Sequence, residues 1–64
     1  MAAEIDPSNR QMVGSQGEAV VVLFPNLVMT PVEALTHAAW LVAVSEVVDP
    51  SLRFADFVEA VRNT

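Results

Sequence analysis

Apolar and polar positions follow three different rhythms along the chain. From Met1 to Gly17 the apolar residues Ile5, Met12 and Val13 stand alone among Ser, Asn, Gln, Pro7, Gly14 and Gly17, with neither a strand nor a helix period. Residues 1–17 therefore read as a flexible N-terminal tail. From Glu18 to Phe24 the pattern changes to an unbroken apolar run, Val20-Val21-Val22-Leu23-Phe24, β-branched and then aromatic. Such a run predicts a strand with both faces covered. Pro25 ends it, since proline has no N–H for a ladder. Asn26 to Met29 connect this strand to the next element, and apolar Leu27, Val28 and Met29 are expected to tuck under a neighbour.

The third rhythm is helical and announces its own start. Thr30-Pro31-Val32-Glu33 places a hydroxyl at the N-cap, a proline at the first helical position and a carboxylate at the third, the pattern of a capping box. A helix over Pro31–Val48 is predicted from there, and Asp49-Pro50 stops it because the residue before proline disfavours helical backbone. A second helix runs from about Arg53 to Arg62. Its Phe54, Phe57, Val58 and Val61 share one face, with Asp56, Glu59 and Arg62 opposite. At about 100° per residue, the first helix carries Glu33, Thr36 and His37 on one stripe, continued by Trp40, Val44 and Val47. Almost every other position on it is Leu, Val or Ala. A helix apolar nearly all round is covered on most sides.

Length makes this pattern hard to satisfy within one chain. The sequence has 64 residues and no cysteine, so no disulfide or cysteine–metal site staples it. At this size, apolar burial and chain entropy nearly cancel. The expected fold is α+β: one short strand, a long capped helix and a shorter amphipathic helix (β-α-α) over residues 18–64. Homo-oligomerisation, as a dimer or larger, completes it. Val20, Val22 and Phe24 on the strand, with Trp40, Val44 and Val47 on the helix, are the candidate interface residues.

Charge and chemistry narrow the function classes. Eight acidic residues stand against three arginines, with no lysine, for a net charge of −5. General polyanion binding, nucleic acid included, is disfavoured. The start, Met1 to Asp6, lacks the basic stretch and apolar core of a signal peptide. Glu33, His37 and Glu46 interrupt the only stretch approaching a membrane span. The reading is a protein off the membrane, inside the cell. His37, the single histidine, sits one turn from Glu33, which reads as a surface i,i+4 pair; neither a metal set nor a catalytic constellation accompanies it. Ser45 reads as an ordinary helix serine, Gly14 and Gly17 form no phosphate loop, and Arg53 is placed to meet Asp49 or Asp56. No enzyme and no cofactor is expected.

Two resemblances attach to these residues. A strand ending at Pro25 followed by two helices resembles the ribbon-helix-helix repressors, whose two chains pair their strands into a ribbon that enters the major groove. Here that ribbon face would be Val, Leu or Phe, so no DNA-contact residue is carried over. Thr30-Pro31-Val32-Glu33-Ala34-Leu35, Ala38-Ala39-Trp40-Leu41-Val42, Phe54 and the ending Glu59 to Thr64 resemble small proteins encoded by mycobacteriophages. That resemblance implies a phage accessory protein acting in the host bacterial cytoplasm on a host or viral protein. The alternatives are a ribbon-helix-helix regulator and a structural or assembly component of a virion.

Overall fold

The computed structural model describes residues 6–64; the first five residues of the expected tail, Ile5 among them, lie outside the described residues. The architecture is α+β, in the order β1 (Val13–Gln16), β2 (Ala19–Val22), α1 (Pro31–Val48) and α2 (Phe54–Arg62). Two strands replace the single strand expected. The additional one comes from the stretch read as a tail.

The two strands form an antiparallel hairpin in the register Val13↔Val22, Gly14↔Val21, Ser15↔Val20 and Gln16↔Ala19. Gly17 and Glu18 are its two-residue loop. Gly17 holds φ +61° while Glu18 stays at negative φ, which is the II′ pattern that matches strand twist. The sequence carries a signal for it: a Gly-X pair between Val13-Gly14-Ser15-Gln16 and the valine run. That signal is faint because Val13 is the only large apolar residue on β1.

Backbone bonding carries the ladder past the strand ends, with Leu23 N–H to the Met12 carbonyl (3.3 Å) and Phe24 N–H to the Gln11 carbonyl (3.1 Å). Asn9 closes the outer edge. Its side chain accepts from Val13 N–H (2.8 Å) and donates to the Val13 carbonyl (2.9 Å), so Val13's outward-facing backbone groups are both satisfied. The turn that brings Asn9 there bends Met12 into the left-handed region at φ 52°. That costs about 1 kcal/mol for a residue with a Cβ.

α1 begins as its sequence predicts. Glu33 N–H donates to Thr30 Oγ1 (3.2 Å) and Thr30 N–H donates to Glu33 Oε1 (3.0 Å), so both arms of the capping box are made. Asp49 ends it, its N–H bonding the Ser45 carbonyl at 2.8 Å. The Asp49 carboxylate then accepts from Ser51 N–H (3.1 Å) and Ser51 Oγ (2.6 Å), which shapes the turn into α2.

The hairpin packs on α1, and Val13, at 5% exposure, is the one buried side chain among the described residues. α2 has no comparable packing partner there. The connection expected to tuck in does so only at Met29, which is half-buried and whose Sδ accepts from Gln11 Nε2 (3.1 Å). Leu27 and Val28 are 93% and 83% exposed, so that expectation fails for both. Their backbone follows an Asn26 turn, with Val28 N–H on Asn26 Oδ1 (3.3 Å), which directs the side chains outward.

Two substitutions test these contacts. Asn9→Ala leaves two part-buried backbone groups of Val13 without partners, and is expected to lower stability by about 1–2 kcal/mol in urea titration, whereas exposed Gln16→Ala is near neutral. The capping hydrogen bonds from the Thr30 backbone and side chain hold the Glu33 carboxyl below its ordinary value. A depressed carboxyl adds stability above its unfolded-state value and loses it as pH falls through the folded one. Helix content measured by circular dichroism should therefore fall at acid pH, with a smaller acid loss in Glu33→Gln.

Candidate functional site

Two grooves run along opposite sides of α1. The first lies between the N-terminal segment and the stripe Glu33, Thr36, His37 and Trp40, with a volume near 500 Å³. Its polar groups are largely spent on one another. Asp6 accepts from Ser8 N–H (3.0 Å), Ser8 Oγ (2.5 Å) and Arg10 (2.6 Å), and these bonds lower its carboxyl to about 2. The Trp40 indole N–H donates to the Pro7 carbonyl at 2.8 Å, and Gln11 Oε1 accepts from Asn26 N–H at 2.9 Å. This side of α1 is where the chain straps its own N-terminal segment down.

Glu33 turns back to Thr30, and no carboxylate lies within ion-pair distance of His37 among the described residues. The expected Glu33–His37 pair is therefore not formed, because the cap competes for the same carboxylate. Neither Asp49 nor Asp56 forms an ion pair with Arg53, which occupies the N-cap position of α2. Asp49 is instead engaged by Ser51, whose side chain and backbone bonds lower its carboxyl. Ser45 Oγ donates to the Leu41 carbonyl (2.6 Å), as an ordinary helix serine does. No cluster of three metal-ligating side chains exists among the described residues.

The second groove, near 400 Å³, lies between the C-terminal half of α1 and α2. Ala38, Leu41 and Val42 form one wall, and Leu52, Phe54 and Phe57 the other, with Ser45 and Glu46 at the rim. α2 stands away from α1 rather than packing onto it, so its apolar face is open: Phe57 is 54% and Val61 70% exposed. Elsewhere on α1, Leu35, Ala39, Ala43 and Val47 repeat at i+4 and are all exposed. The polar stripe of α1 thus faces its own chain, while an apolar stripe faces outward.

The six candidate interface residues divide accordingly. Phe24 and Val47 are exposed at 64% and 81%. Val20, Val22, Trp40 and Val44 are half-covered by the rest of the chain. The α1–α2 groove is not among the sequence expectations, although the amphipathic period of α2 is its visible signal. That α2 stands off from α1 emerges only in the tertiary structure.

α1 is also 18 residues long with a mean hydropathy of 1.2, which meets the length and composition of a membrane span; core helices of soluble proteins meet the same test. No family model, curated protein or solved structure matches this chain.

Trp40→Phe keeps an aromatic ring and removes the bond to Pro7. It should lower stability by about 0.5–1.5 kcal/mol in thermal or urea unfolding. An unchanged midpoint would mean that this strap contributes nothing.

Proposed function

We propose that this chain is a non-enzymatic protein-interaction module that works by burying apolar surface against other polypeptides. The observation that carries the reading is the uncovered α1–α2 face. Leu52, Phe54 and Phe57 line an apolar groove opposite Ala38, Leu41 and Val42, and Val61 on α2 is exposed as well. Contiguous apolar surface of this kind marks association sites.

The assembly consists of two or more copies, and its further partner is a host or viral protein. The sequence resemblance to mycobacteriophage proteins supports an accessory role in the host bacterial cytoplasm. A regulator of ribbon-helix-helix type is less well supported. β2 pairs with β1 of its own chain, whereas that family pairs strands between chains. Acidic charge also opposes a phosphate backbone. Insertion of α1 into a bilayer would carry Glu33 and Glu46 with it, one near each end of the helix.

The test compares what the purified chain retains as salt is raised. Protein partners should stay bound from 0.1 to about 0.5 M salt, because screening weakens charge contacts and not apolar ones. Phe57→Glu should release them. Affinity for DNA that falls steeply with salt, or partition of the chain into vesicles, in place of protein retention would overturn the reading.

A further inference from the structure

The α1–α2 groove has a specific occupant. We infer that it receives α2 of a second copy of this chain, reciprocally, so that two α1–α2 pairs close into one helical core. The inference rests on reading that face as an interaction surface and names its first partner.

Three observations carry it. The first is area. The chain exposes 5431 Å² at a mass of 6.9 kDa, whereas a folded monomer of that mass exposes about 4,000 Å², leaving a surplus of roughly 1,400 Å². A stable interface takes about 800 Å² from each partner, so the surplus is more than enough to supply one face of a two-fold dimer.

The second is the instability of α2 on its own. It spans 9 residues, and helices shorter than about 12 residues are marginal in water without packing. Apart from half-buried Val58, every side chain of α2 is exposed. α2 therefore needs cover on its Phe54, Phe57, Val58 and Val61 face.

The third is self-complementarity. The chain carries both halves of the contact: a groove wall of Ala38, Leu41 and Val42, and facing it a helix whose Phe57 lines the groove while still 54% exposed and whose Val61 is 70% exposed. A two-fold axis joins a patch to its own copy, so the α2 that fills a neighbour's groove has its own groove filled in return. Contact through this face also leaves the hairpin and the Trp40 strap untouched on the other side of α1.

Light scattering on a sizing column, over a dilution series, should give twice the 6.9 kDa chain mass at micromolar concentration. Because both copies are acidic, added salt should hold or tighten the dimer. Phe57→Glu should weaken association at least about 30-fold, as loss of an interface anchor does. Since that variant can also lose α2 itself, cysteine cross-linking supplies a second measurement in a chain with no native cysteine. Chains carrying Val61→Cys, mixed with chains carrying Val42→Cys in the groove wall, should oxidise to a disulfide-linked dimer, while Leu27→Cys, on the far loop, should not cross-link to Val42→Cys.

A monomer at high concentration overturns the inference. So does a dimer that Phe57→Glu leaves intact, or one that cross-links through Leu27→Cys and not Val61→Cys. A monomer that still retains a protein partner overturns the second copy alone. A dimer of this geometry that binds DNA instead of protein overturns the functional reading alone.

Discussion

The packing of a short hairpin across one side of α1 is the contact on which the rest of the molecule depends. It encloses Val13, the single buried side chain among the described residues. Without that contact the hairpin is an isolated two-stranded ribbon, which is marginally stable at best in water. α1 would likewise be an apolar rod of about 27 Å with no partner. Several local devices converge on holding Val13 in place. Asn9 satisfies its backbone, Gly17 turns the ribbon at positive φ, and the Trp40–Pro7 bond ties the N-terminal segment across the helix.

That contact also sets what remains uncovered. A narrow two-stranded ribbon spans only one side of a helix, and α1 is apolar nearly all round. Its Leu35, Ala39, Ala43 and Val47 stripe and its α2-facing wall are left to other surfaces. The described residues build no further layer over them. The open face is thus a consequence of how little sheet the described residues build, and association is the means we propose for covering it.

The polar chemistry points the same way. The carboxylates that look most available in the sequence are occupied by local turns and caps: Asp6 by Ser8 and Arg10, Glu33 by Thr30, Asp49 by Ser51. Their lowered carboxyl values arise from these bonds and serve structure. The α1–α2 groove is mainly apolar, which would suit binding by area and shape over binding by charge.

The α1 boundaries, its capping box, the stop at Asp49-Pro50 and the amphipathic period of α2 are all legible in the sequence, because each depends on residues within a few positions of one another. β1 is not, because Val13-Gly14-Ser15-Gln16 becomes a strand through pairing with the valine run and through Asn9, and its own side chains carry little β signal. The outward turn of Leu27 and Val28 is hidden for a similar reason: hydrophobicity does not say which way a short Asn26-led turn points. The Glu33–His37 pair fails because spacing permits a contact that a nearer hydrogen-bond donor then captures. By itself the sequence determined the local elements and the excess of apolar surface. Only the tertiary structure decided which side of α1 the hairpin covers and that α2 stands open, since both depend on contacts between residues far apart in the chain.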